Sequence, residues 1–184
     1  MTAPATLPLT PRPFSLLAPA LAMSAIVLLS NILVQYPINP WLTWGAFSYP
    51  VAYFVTDVCN RASGPSLARR VAWIGFGVGL ILSAILAPWR IAAASGSAFI
   101  VSQLLDVAVF NRLRKQSWWK APFFGSAAAS IIDTAIFFSL AFAGTHLDWL
   151  PLAGGDLGVK LFMAVALLPP YRLLINRLTA KSGA

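Results

Sequence analysis

No charged residue occurs from Pro13 through Thr56. A stretch of that length is too long for one buried helix of a water-soluble domain, and more apolar stretches follow it. Val71–Trp89 is again free of charge, at about the ~20 residues one bilayer crossing needs. Across 184 residues the chain is 59% hydrophobic and 10% charged, with mean hydropathy +0.77. Soluble domains carry roughly 25% charged residues. One small core cannot hide this much apolar surface, so the surrounding medium is lipid.

Turn signals divide the chain into six apolar segments. Gln35-Tyr-Pro-Ile-Asn-Pro40 splits the first charge-free run. The expected helices lie near Phe14–Val34, Trp41–Cys59, Val71–Trp89, Arg90–Arg112, Ala121–Gly144 and Leu157–Arg177. The last contains Lys160, Arg172 and Pro169-Pro170, so a kink or unwound turn is expected there. Residues 1–13 and 178–184 read as tails around a six-helix transmembrane domain at 14–177. Ala20-Leu-Ala22 resembles a signal-peptide cleavage site. The apolar run continues past it, so it reads as part of the first span.

Net charge is +8, which in a soluble protein raises nucleic acid as a partner. Here the basic residues sit between apolar segments, the pattern of loops facing anionic lipid, and nucleic-acid binding is set aside. Alternating the segments across the bilayer puts Arg12, Arg61, Arg69, Arg70, Arg112, Arg114, Lys115, Lys120, Arg172, Arg177 and Lys181 on one side. Only Arg90 and Lys160 fall on the other. The excess of Lys and Arg predicts a multi-pass protein with both termini in the cytoplasm. Trp41, Trp44, Trp89, Trp118, Trp119 and Trp149 fall near expected helix ends, as interfacial anchors do.

All five acids are Asp. A carboxylate placed in hydrocarbon costs at least ~2.5 kcal/mol, so it turns inward and usually has a function. Asp106 and Asp133 lie inside apolar segments. On the fourth segment Ser95, Ser102, Gln103 and Asp106 share one helix face, beside Ala92–Ala94, Gly96 and Ala98, which allow a neighbouring helix close. On the fifth, Ser126, Ser130, Asp133 and Phe137 form a stripe. Asp133 lies roughly 18 Å in from Ala121, near mid-bilayer. These polar residues serve either a ligand or hydrogen bonds between helices. Asp106 has Arg112 and Arg114 as alternative partners near the surface. Asp57 and Arg61, at i and i+4, read as a helix-end ion pair or a topological anchor. Asn31 is a candidate ligand or bridge in the first helix. Arg90 reads equally as a snorkelling anchor or part of a gate.

No catalytic motif is present: HExxH, GxSxG, Walker and Cys/His patterns are all missing. With one Cys and one His, neither a cysteine cluster nor a zinc site is expected, and nothing calls for a cofactor.

Several strings together resemble a known family. They are Thr43-Trp-Gly-Ala-Phe-Ser-Tyr-Pro50 with Thr56-Asp57, Leu67-Ala-Arg-Arg70, Arg90-Ile-Ala-x-Ala-Ser95, and Gln103-x-Leu-Asp-Val-x-Val-Phe-Asn-Arg-Leu-Arg114. Trp118-Trp119-x-Ala-Pro122 and Asp133-Thr134 with Phe137-Phe138 and Ala141-Phe142 complete the set. In this order they resemble the vitamin uptake transporter family, over about Asn31 to Phe142 and more loosely over Asp156 to Tyr171. The resemblance implies an all-α polytopic protein of the bacterial inner membrane, a bundle of six transmembrane helices akin to the substrate-binding subunits of energy-coupling-factor transporters. It implies import of the queuosine precursors 7-cyano-7-deazaguanine and 7-aminomethyl-7-deazaguanine.

A deazapurine presents N–H donors along one edge, and a carboxylate can accept two of them. Asp133 or Asp106 is therefore expected to read that edge. Asn31, Gln103 and Ser102 assist, Phe137 or Tyr53 stacks, and Ser130, Asp57 and Arg90 complete the candidate set. Protons are a candidate coupling ion, carried by a buried Asp, and a homo-oligomer is left open. The alternatives are a non-transporting membrane scaffold and a binding-only subunit, each using the same polar residues.

Overall fold

A computed structural model of the chain describes residues 16–182, with side chains described through Leu178. Arg12, Phe14 and the Lys181 side chain, all used above, lie outside that description.

The architecture is all-α apart from one short hairpin. Helices α1 (Leu17–Leu33), α2 (Gly45–Ser63), α3 (Pro65–Leu86), α4 (Trp89–Leu113) and α5 (Lys120–Phe142) are followed by α6 (Leu150–Ala166) and α7 (Leu168–Ser182). By length and composition, α3, α4, α5 and the combined stretch Leu150–Leu178 are apolar enough to cross a membrane, and α1 is a shorter apolar helix. This is a polytopic membrane protein. Large apolar side chains such as Leu21, Ile81, Ile85 and Phe162 face outward, as lipid-facing residues do.

The second helix starts later than expected. Pro37–Asn39 and Leu42–Thr43 pair as an antiparallel hairpin, β1 and β2, and Asn39 Oδ1 accepts the Trp41 N–H at 2.8 Å. Residues 37–43 therefore cap the bundle instead of extending α2. The sixth span divides at Leu167, just before Pro169-Pro170, as the proline pair leads one to expect.

Prolines and glycines set the joints. Pro65 opens α3, where its missing N–H costs nothing. The preceding Gly64 has φ +90°, a conformation that permits the abrupt α2–α3 turn. Close helix contacts follow from missing side chains. A Cβ on Gly79 would lie 2.5 Å from Val27 Cγ1, so α1 and α3 approach closely there. One apolar core, including Met23, Val27, Ala52, Val71, Phe99 and Val107, joins α1 to α4. A second, with Val58, Phe110, Ala121 and Tyr171, binds α7 to the far end of α2, α4 and α5.

Lys160 departs from its expected position. Counted above as a charge on the sparsely basic side, it is 3% exposed inside the bundle. The reason is that α6 begins at Leu150, so Lys160 sits ten residues into a helix and faces α5.

Candidate functional site

Asp133 points inward from the middle of α5 because Ile131 and Leu140 occupy the exposed face of that helix. Its Oδ2 accepts from Lys160 Nζ at 2.7 Å and its Oδ1 from Ser102 Oγ at 3.3 Å. Lys160 also forms an ion pair with Asp156, one turn earlier on α6. Thr134 links them, donating to Asp156 Oδ2 at 2.8 Å and accepting from Lys160 at 3.3 Å. One ammonium thus holds two carboxylates, and its Nζ lies 5.4 Å from the centre of the Tyr49 ring. Placing these charges together offsets part of the cost of removing each from water.

A hollow of about 240 Å³ opens beside this cluster. Sites for drug-sized ligands occupy roughly 300–1,000 Å³, so this smaller hollow suits only a compact solute. Asn31, Ser83, Tyr49, Asp133, Asp156 and Lys160 supply its polar lining, and Phe137, Phe138 and Phe142 supply flat apolar surface. Asn31 is held by donation to Ser83 Oγ at 2.8 Å, bridging α1 to α3. Gln35, Thr43, Ala87 and Pro88 also line the hollow. It therefore reaches the end of the bundle that carries Arg90, opposite the arginine-rich end.

The expected site residues divide between two levels. Asn31, Asp133 and Phe137 line the hollow, and Ser102 contacts Asp133 from behind. Asp106 and Gln103 lie deeper, both around the Thr56 hydroxyl, at 3.2 and 3.0 Å. Asp106 forms no ion pair with Arg112 or Arg114. Asp57 accepts from Ser126 at 3.4 Å and has no ion pair with Arg61, which bonds the Tyr171 hydroxyl and the Arg114 carbonyl instead. Tyr53 and Ser130 are buried between these levels. Arg90 reaches across to α5, where it donates to the carbonyls of Leu140 and Ala143.

Sequence reasoning missed Asp156, Lys160 and Tyr49. A signal for the first two was present: an Asp and a Lys at i and i+4 within an apolar segment. Among the described residues no three metal-ligating side chains gather.

The family model described as "Putative vitamin uptake transporter" matches residues 43–88 and 82–174. The chain belongs to this family. The matched stretch runs past α5 and takes in Asp156 and Lys160. Among relatives of this vitamin uptake transporter chain, the Escherichia coli (strain K12) protein named queuosine precursor transporter is 34% identical, over 83% of each chain. A Haemophilus influenzae protein named probable queuosine precursor transporter is 31% identical, over 85% of this chain and 84% of its own. A Bacillus subtilis protein of the same name is 28% identical over 69% of each. No solved structure matches.

Proposed function

We propose that this protein imports queuosine precursors, 7-cyano-7-deazaguanine and 7-aminomethyl-7-deazaguanine, across a bacterial inner membrane. The observation that carries the reading is the hollow at mid-bundle, where two carboxylates, an ammonium and an amide converge beside aromatic rings. The names of the relatives support the cargo. The carboxylates of Asp133 and Asp156 retain acceptor sites beyond those that Lys160, Ser102 and Thr134 fill, enough for the N–H donors of a deazaguanine edge. Asn31 can serve the carbonyl or ring nitrogen, and Phe137 or Tyr49 the flat face.

Orientation follows from charge. The arginine-rich end belongs in the cytoplasm by the positive-inside rule, with both termini there. The hollow then opens outward, ready to receive a solute from outside.

Two measurements test this. A deazaguanine ligand at 100 times its Kd should stabilise the protein by about 2.7 kcal/mol, visible as a raised melting temperature. Vesicles holding this protein alone should take the solute up, which separates an importer from a binding-only subunit. Undiminished uptake by both Asp133→Asn and Asp156→Asn would remove the proposed site.

A further inference from the structure

Polar residues continue from the hollow toward the arginine-rich end, and the lower ones have no part in lining it. Asp57 of α2 and Asp106 of α4 lie side by side there: Thr56, the residue before Asp57, reaches Asp106 Oδ2 at 3.2 Å. They are 2% and 0% exposed. Two consecutive residues of α5 set them at one level. Gly125 faces Asp106, where a Cβ would lie 2.6 Å from Oδ1, and Ser126 donates to Asp57. No N–H or hydroxyl donor reaches Oδ1 of either acid.

Counting hydrogens bears on the charge of this pair. Thr56 Oγ1 has four acceptors within 3.3 Å: the carbonyls of Ala52 and Tyr53, Gln103 Oε1 and Asp106 Oδ2. Its one hydrogen serves one of them. Two bare carboxylates side by side away from water repel, and close pairs of this kind settle by sharing a proton. A proton on the pair also supplies a hydrogen that Thr56 cannot.

The surrounding charges are few. Arg61 follows Asp57 by one turn, and Tyr53 precedes it by one. Arg114, just past the end of α4, exchanges backbone-directed bonds with Arg61, and Tyr171 of α7 accepts from it. Asp133 on α5 and Asp156 and Lys160 on α6 form the other cluster. The described part of α1 carries no ionisable side chain, and Arg69 and Arg70 of α3 are exposed. One guanidinium nitrogen of Arg61, Nη2, is buried without a partner, within one helical turn of Asp57.

We infer that Asp57 and Asp106 form a proton-carrying site, distinct from the ligand hollow, that couples inward solute movement to a proton. The inference rests on the importer reading above. The pair alternates between one shared proton and two. A proton entering from the hollow, past Asp133, Ser102 and the buried Tyr53 hydroxyl, becomes a carboxylic O–H. When the arginine-rich end opens, that proton passes to water, and the Asp57 carboxylate turns to Arg61. No bond of the solute changes.

Proteoliposomes holding the full chain and labelled 7-aminomethyl-7-deazaguanine separate the inference from the reading beneath it. Wild type should exchange labelled for unlabelled solute without a gradient, and should accumulate it when the interior is made alkaline. Asp57→Asn and Asp106→Asn should keep the exchange and lose about tenfold in gradient-driven accumulation, within the usual range of a coupling between sites. A wild type that exchanges solute but ignores the gradient overturns the proton site and leaves the importer intact. So does accumulation by the double Asn variant in response to the gradient. A wild type that exchanges no deazaguanine overturns both. Should the Asn variants fail to insert, a pH dye inside wild-type vesicles decides, because solute addition must bring protons in.

Discussion

Lys160 Nζ lies 2.7 Å from Asp133 Oδ2, with both side chains under 5% exposed. The pair ties α6 to α5 at the base of the hollow. Removing one partner of a buried ion pair leaves a stranded charge, at about 3–5 kcal/mol. Lys160→Met strands both Asp133 and Asp156, so its melting temperature in detergent should drop sharply. Adding Asp133→Asn should recover part of that loss, which a double-mutant cycle measures. Single and double variants with equal stability would contradict the pairing.

Asn31 and its neighbour Ser30 are both buried, but only Asn31 lines the hollow. Asn31→Ala should weaken deazaguanine binding about tenfold, equivalent to ~1.4 kcal/mol. Ser30→Ala should leave affinity unchanged. Titrating the ligand-induced melting shift compares the two.

Adjacent glycines on α6 should respond in opposite directions. A Cβ on Gly155 would lie 2.0 Å from the Trp41 carbonyl oxygen, a backbone atom of the hairpin, whereas Gly154 has nothing within 4 Å. Gly155→Ala should destabilise by about 1–3 kcal/mol through overpacking. Gly154→Ala should stabilise by up to about 1 kcal/mol through helix propensity. Thermal unfolding of the two variants side by side checks the seating of the hairpin on α6.

Arg90 acts on the end of a helix. Its guanidinium takes the carbonyl of Leu140 in the last turn of α5 and that of Ala143 just past it, groups without partners inside that helix. Arg90→Ala should cost about 1 kcal/mol. Arg90→Lys should restore only part, since an ammonium lacks the planar fork. Ligand affinity should hold in both. A variant with normal stability and lost affinity would return Arg90 to the ligand site.

The inward-facing acids were legible in the sequence because hydrocarbon penalises exposed charge so heavily. Asp106 and Asp133 had to turn inward whatever the helix arrangement, and they do. Lys160 was not legible in the same way. Its position depends on where α6 begins, and Trp149 and Leu150 start the helix seven residues before the expected Leu157. Asp57 shows a different limit. Spacing alone pairs it with Arg61, yet α4 and α5 bring Asp106 and Ser126 to it instead, and no local pattern reports on helices that meet from distant parts of the chain.

The amino-acid order by itself determined that this chain lives in lipid, that its last span breaks near its prolines, and that Asp106 and Asp133 face inward. Those properties follow from transfer free energies, summed residue by residue along each segment. Which acid meets which partner, and that Asp133 belongs to the hollow while Asp106 and Asp57 lie beneath it, was decided only by tertiary structure. Helix rotation and depth are set by close packing at Gly79, Gly125 and Gly155, and such contacts exist only once all the helices are assembled.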